Sequence, residues 1–283
     1  MSIIGYGGMM VSIQGRPPEE HGVRAILAAL DSGCTFIDTA NVYCLDDNDI
    51  GHNERLIARA LKEWDGAAHV TVATKGGLTR PDGHWERNAR PEFLKRSCEQ
   101  SLKALGVEQI ELYQLHAPDD KVRFADSVGA LAELQKAGKI RWIGLSNVSV
   151  KQIEQARETI EVVTVQNRLS PFFKEATRGG LFGDSVVDHC AKLGIGFLAY
   201  SPVGGGRLNQ RLPNHPVLEP IAKRLGATPH AVVITWVLAK GSTVIPIPAG
   251  RNPDHVRDSM GAGDLQLSAA DIVAIDRADF SRA

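Results

Sequence analysis

Apolar and polar positions alternate along this chain between two rhythms. Short apolar, β-branched runs recur, each closed by a Gly, Pro or polar break, and each is followed by a stretch with helical spacing. Eight such runs stand out: Ile3 to Gly7, Cys34 to Asp38, Val70 to Lys75, Ile110 to His116, Arg141 to Ser146, Val162 to Gln166, Ile195 to Tyr200 and Thr243 to Ile247. Within them apolar residues do not strictly alternate with polar ones, which suits strands of a parallel sheet covered on both faces. The spacing predicts helices over Glu19 to Ser32, Asn53 to Trp64, Pro91 to Leu105, Val122 to Ala137, Val150 to Thr159, Phe182 to Leu193 and Pro229 to Ala239. Two further helices are expected near Asn252 to Met260 and from Ser268 to Ala278.

Eight strand and helix alternations predict a closed (β/α)8 barrel, a TIM barrel of parallel strands with extra helices near the C-terminus, forming one domain over residues 1–283. A doubly wound sheet uses the same alternation but favours a GxGxxG turn after the first strand. Gly5-Tyr6-Gly7-Gly8-Met9-Met10 does not supply one.

Composition changes this picture little. The 283 residues are 43% hydrophobic and 23% charged, enough apolar material for a large core. A formal net charge of -1 gives no argument for nucleic acid or an anionic membrane. The four cysteines lack CxxC or zinc-ligand spacing, so no metal is expected and reduced cytoplasmic thiols are. Neither a leader nor a membrane span is expected from the N-terminal residues and the lengths of the apolar runs.

Barrel active sites are assembled at the C-terminal ends of the strands, and successive strand ends here bring Asp38 with Tyr43 just beyond, Lys75, and His116. Taken singly, each has a structural explanation as a cap, a packed ring or a hydrogen-bonded core group. Together they suit proton donation to an oxygen that gains charge. An ammonium at Lys75 stabilises the phenolate of Tyr43 and is expected to lower its pKa, Asp38 keeps Lys75 charged, and His116 hydrogen-bonds a substrate oxygen or relays a proton.

The sequence resembles the aldo-keto reductase family, specifically its bacterial-type, NADPH-dependent members. The resemblance is carried by FIDTANVY, GHNERLIARAL, VTVATKGG, IELYQLHAPD, GKIRWIGLSN, the Gln of VTVQN, FLAYSPVGGGRL and VIPIPAGRNPDHVRDS. It implies reversible reduction of an aldehyde or ketone by hydride transfer, with a catalytic tetrad of Asp38, Tyr43, Lys75 and His116 and Tyr43 as general acid. It implies a nicotinamide cofactor bound across the barrel mouth, against Gly8 and Met9, with the carboxamide at Ser146, Asn147 and Gln166 and the ring on Tyr200. The loop Ser201, Pro202, Val203, Gly204, Gly205, Arg207, Leu208 would meet the pyrophosphate, as loops after the seventh strand of barrels often do. Ala249, Gly250, Arg251, His255, Asp258 and Ser259 would meet the adenosine end, with basic residues near a helix N-terminus favouring the 2'-phosphate and so NADPH/NADP+ over NADH.

There are departures from the family pattern. Ala249 and Gly250 stand where many members have Lys-Ser, His255 where an arginine is common, and Ser259 where Asn is frequent. The N-terminal hairpin that covers the barrel floor in family members is not expected here, since the first strand comes almost at once, so the floor is expected to be open or plugged by something else. An acidic loop holds Asp46, Asp47 and Asp49, which read first as a solvated loop and second as a lure for cationic substrates. Tyr6, Trp85, Phe172 and Phe173 are candidate walls for an apolar substrate pocket. The alternatives are a Schiff-base aldolase built on Lys75 and a non-catalytic nicotinamide-binding regulatory subunit.

Overall fold

The computed structural model describes residues 1–179 and 185–281. Eight parallel strands lie side by side in chain order: β1 (Tyr6–Gly7), β2 (Phe36–Asp38), β3 (Thr71–Gly76), β4 (Ile110–Leu115), β5 (Ile140–Ser146), β6 (Val162–Arg168), β7 (Gly196–Tyr200) and β8 (Val244–Ile247). The Gly5 and Gly7 amides donate to the Pro246 and Pro248 carbonyls at 3.0 and 2.9 Å, which joins the first strand to the last. Glycine suits this seam because a Cβ on Gly7 would lie 2.8 Å from the Ile247 carbonyl oxygen.

The expected strands are found within one or two residues of their bounds, except the first. It is confined to Tyr6–Gly7 because Ile3 points to solvent and Ile4 packs with Ala231 and Ile234. Among the described residues no strand precedes Tyr6. At the start of β2, Phe36 is fully buried and its ring lies 2.7 Å from where a Gly5 Cβ would be, so an aromatic ring fills this end of the barrel.

Helices cover the outside. Pro91–Leu105 has proline in its first turn and Gly106 in the left-handed region (φ 70°) at its end, the start and stop chemistry expected of it. The sixth helix is Val186–Leu193, capped by the Ser185 hydroxyl; its expected start at Phe182 lies outside the described residues. Among the elements not legible from hydrophobic spacing are a helix and a ribbon. Helix Leu218–Leu225 carries Pro220, which reads as a breaker but falls in the first turn, where no amide partner is required. A two-stranded antiparallel ribbon, Leu78–Thr79 with Glu86–Arg87, folds back from β3 and is too short to show a period.

Inside the barrel Phe36, Ala73, Leu112, Leu198 and Ile247 form an apolar plug. Side chains two residues further along the same faces lie in the layer above it: Asp38, Lys75, Gln114 and Tyr200.

Candidate active site

Lys75 is the centre of this layer. Fully buried, it spends all three of its N–H donors: Nζ donates to Asp38 Oδ2 at 2.5 Å, to the Thr39 carbonyl at 2.8 Å and to Tyr43 Oη at 3.1 Å. Burial alone disfavours the ammonium, but Asp38 and Tyr43 together outweigh it and the Lys75 pKa ends above its ordinary value. The other Asp38 oxygen accepts from Gln166 Nε2 at 2.7 Å and from Gln114 Nε2 at 3.2 Å. This carboxylate is therefore held by three donors from three strands, β3, β4 and β6.

The Tyr43 hydroxyl behaves differently from the sequence expectation. Burial raises its pKa by more than the Lys75 ammonium lowers it, so the net direction is upward, not downward. Its ring meets the His116 ring edge-on at 5.7 Å between centroids. His116 follows the last residue of β4 and is buried, and burial reinforced by the Lys75 charge holds its pKa well below the usual imidazole value. Its Nδ1 is buried without a partner among the described residues, which favours the tautomer with the proton on Nε2 because a buried N–H is costlier to leave unpaired than a lone pair.

Above this layer opens a cavity of about 640 Å³ lined by Asp38, Tyr43 and His116 among others. Of the residues expected at a cofactor, Met9, Ser146, Asn147, Gln166, Tyr200, Ser201, Pro202, Val203, Gly205 and Ala249 line it. Ser146 and Gln166 are register partners at the ends of β5 and β6. Gln166 Nε2 is engaged with Asp38, which leaves its carbonyl oxygen as the acceptor it presents. Ser146 Oγ accepts from Asn147 Nδ2 at 3.1 Å and keeps its own proton to donate. Asn147, in the left-handed region at φ 59°, spends its amide on protein: Nδ2 donates to the His116 carbonyl at 3.0 Å as well as to Ser146, and Oδ1 accepts from Tyr200 Oη at 2.8 Å. Asn147 is thus a brace joining β4, β5 and β7.

The glycine loop is positioned from below. Gly204 sits at φ 88°, and a Cβ there would lie 2.6 Å from Phe172. Gly205 and Gly206 face the cavity with nothing closer than 3.7 Å to a built Cβ, leaving backbone within reach of an extended anion. A carboxamide meets both a donor and an acceptor at Ser146 and Gln166, and a planar ring meets the wall of Tyr200, so these residues fit a nicotinamide dinucleotide.

The remaining expected cofactor residues lie off the cavity lining. Gly8 abuts Asn53, whose Nδ2 donates to the Gly8 carbonyl and to Ser12 Oγ, both at 2.8 Å, and whose Oδ1 accepts from Thr39. Arg207 and Leu208 belong to a single helical turn, Gly205–Leu208. The Gly250 carbonyl accepts from Tyr6 Oη at 2.7 Å, and Arg251 Nη1 donates to the Gly15 carbonyl at 2.5 Å. Asp258 accepts from Thr228 Oγ1 at 2.6 Å, and Ser259 Oγ donates back to the His255 carbonyl at 2.9 Å.

Of the four candidate substrate walls, Trp85 alone lines the cavity, with its indole edge-on to Tyr43 and His116 at 6.3 and 6.5 Å. Tyr6 does not: it is fully buried among Val11, Val23 and Ile26, and burial pushes its phenol far above the normal range. Phe172 packs under Gly204 and edge-on to Phe280 at 5.3 Å, and Phe173 lies under the Arg168 guanidinium. The acidic loop is occupied internally. Asp46 caps its own turn at the Asn48 amide, Asp47 accepts the Arg80 amide at 2.8 Å, and Asp49 pairs with Arg16 at 2.5 Å.

Gln114, Arg80, Met10, Leu78 and Arg168 were missed by reading the sequence. Gln114 had a usable signal, since it precedes His116 by two residues and therefore shares its face of the strand. Among the described residues there is no cluster of three or more potential metal ligands, all four cysteines are free and buried, and no helix is long and apolar enough to cross a membrane.

The chain matches the model of the aldo/keto reductase family over residues 3–279. It is similar to an uncharacterised oxidoreductase of Schizosaccharomyces pombe, 32% identical with 96% of this chain and 85% of the relative covered. It is also similar to the same organism's aldo-keto reductase yakc [NADP(+)], 30% identical with 97% and 87% covered. Among solved structures it resembles the glycerol dehydrogenase AKR11B4 of Gluconobacter oxydans at a TM-score of 0.82, 28% identity and 98% and 90% coverage. A thermostable aldo-keto reductase, Tm1743, gives 0.80, 27%, and 98% and 94%. The barrel, the polar layer at its mouth and these likenesses agree: the chain belongs to the aldo/keto reductase family and is an NAD(P)H-dependent oxidoreductase of the kind that acts on small-molecule carbonyl compounds.

Proposed function

We propose that the protein reversibly reduces an aldehyde or ketone to the alcohol using NADPH, with Tyr43 as the general acid. The observation that carries this reading is Lys75 Nζ, hydrogen-bonded at once to Asp38 Oδ2 at 2.5 Å and to Tyr43 Oη at 3.1 Å. When bound, a reduced nicotinamide supplies the hydride that adds to the carbonyl carbon. Tyr43 gives its proton to the carbonyl oxygen, and the resulting phenolate is stabilised by the Lys75 ammonium at hydrogen-bond distance. Asp38 keeps that ammonium charged and fixed. His116, neutral and protonated on Nε2, donates a second hydrogen bond to the substrate oxygen and orients it toward Tyr43.

A charged Lys75 has no lone pair for attack on a carbonyl, so a Schiff-base aldolase gains no support. NADPH is favoured over NADH by Arg251 and His255 flanking the first turn of helix Pro253–Gly261, where a phosphate dianion is stabilised. Comparable kcat/KM with both cofactors would remove that preference.

Replacing Tyr43 by Phe tests the catalytic role. Turnover of an aldehyde panel with NADPH is expected to drop by about 10²- to 10⁴-fold while the Kd for NADPH stays close to that of the native protein. Residual activity within tenfold of native would refute the assignment, and a native protein that binds NADPH but turns over no carbonyl would favour the regulatory reading.

A further inference from the structure

The cavity at the barrel mouth has two fully charged residues in its lining among the described residues, Asp38 and Arg168. Asp38 is neutralised by Lys75 at 2.5 Å. Among the described residues Arg168 has no such counter-charge. Among the described residues its guanidinium has a ring contact, 3.5 Å above the centre of Phe173, and neither a hydrogen bond nor an ion pair.

The backbone around it is well fixed. Arg168 ends β6 in register with Tyr200, and the next residue's amide donates to the Tyr200 carbonyl at 3.3 Å. Ser170 and Phe173 close a small loop through two backbone hydrogen bonds of 3.0 Å, which sets the Phe173 ring beneath the guanidinium. Stacking holds the plane of an arginine while leaving its edge N–H groups free, the arrangement that suits bidentate recognition of a carboxylate or phosphate.

We propose that Arg168 is a specificity-determining residue that binds an anionic group, carboxylate or phosphate, on the carbonyl substrate. The inference rests on the carbonyl-reductase reading and narrows its substrate class. A cation with open donors at the wall of a cavity whose other charges cancel draws anionic substrates into it, and leaves neutral ones without that contact.

Matched pairs of aldehydes test this: 4-carboxybenzaldehyde against benzaldehyde, and succinic semialdehyde against butanal, each reduced with NADPH. The native protein is expected to prefer the carboxylated member of each pair in kcat/KM. Arg168→Gln should reduce that preference by about tenfold or more, mainly through KM, and Arg168→Lys should recover part of it. Absence of any preference in the native protein overturns the inference and leaves carbonyl reduction standing. Equal losses on both members, with weaker NADPH binding by fluorescence titration, overturn it too and assign the guanidinium to the cofactor's pyrophosphate. Failure to reduce any of the four aldehydes while NADPH binds overturns the reductase reading and this inference with it.

Discussion

The guanidinium of Arg80 lies 3.7 Å above the ring of Trp85, and this stack sets the indole against the catalytic candidates. Arg80 is itself buried, bonded to the side chain of Gln14 and to the Cys44 carbonyl, with its amide held by Asp47. The loop beyond β3 is thus pinned by a cation that lies outside the cavity lining. Arg80→Gln should leave Trp85 in place on average but less ordered. The KM for an aromatic aldehyde is then expected to rise about five- to tenfold, as befits a cation–π contact, with a much smaller change in kcat. Steady-state kinetics, with Trp85→Phe as the comparison, would check it; equal falls in kcat for both variants would point to loss of fold.

The Lys75 and Asp38 pair makes a separate prediction about stability. Lys75→Met leaves a buried carboxylate with one cationic partner fewer and should cost about 3–5 kcal/mol. Adding Asp38→Asn removes the orphaned charge and should restore much of that stability without restoring activity. Denaturant unfolding of the two single variants and the double variant measures the coupling. Additive losses would mean that Lys75 and Asp38 are held apart in solution.

The upward pKa of Tyr43 fixes the sign of a pH effect. A group whose pKa lies above its ordinary value stays protonated throughout the neutral range, and protonated tyrosine is the form that donates in reduction. His116 is already neutral at neutral pH and adds no titration there. The kcat for reduction should therefore be flat across the neutral range and fall only beyond the ordinary tyrosine range, while alcohol oxidation, which needs the phenolate, should speed up as pH rises. A reduction rate that halves between about pH 7 and 8 would contradict this.

The barrel and its mouth residues were legible in the sequence because both follow from local rules: apolar runs of strand length, and polar residues where those runs stop. Electrostatics was not legible. The Lys75 ammonium lies near Tyr43, as expected, yet its effect is smaller than that of burial, and how deeply a phenol is buried depends on His116 and Trp85, distant in sequence. Tyr6 and Phe172 show the same limit. Tyr6 precedes the cavity-lining Gly7 and Phe172 follows the cavity-lining Arg168 by four residues, but one turns its ring into the core and the other props Gly204 from behind. Spacing places a residue near a mouth; packing decides which way it faces.

Behind β3, Glu54 is fully buried, with Oε1 accepting from Thr74 Oγ1 at 2.6 Å and the Ser101 hydroxyl beside the carboxyl. Burial raises its pKa above the ordinary carboxyl value. A carboxyl with a raised folded pKa weakens the fold as pH rises past its unfolded pKa, because the folded state resists ionisation. Glu54→Gln keeps the acceptor for Thr74 and removes the titration. Its stability relative to the native protein should therefore improve as pH is raised from about 5 to 7, as read from urea midpoints; an unchanged difference across that range would exclude a buried titrating Glu54.

The first strand is two residues long, and the amides of Gly5 and Gly7 find their partners at Pro246 and Pro248. During synthesis these donors wait for a segment some 240 residues away, so the ring closes only after nearly every other strand has been made. Until then any sheet formed has two unpaired edges, and closing the ring joins the most distant parts of the sequence. A nascent chain stalled before β8 would carry Asp38, Lys75 and Tyr43 already in sequence but lack the strand that closes the ring beside them.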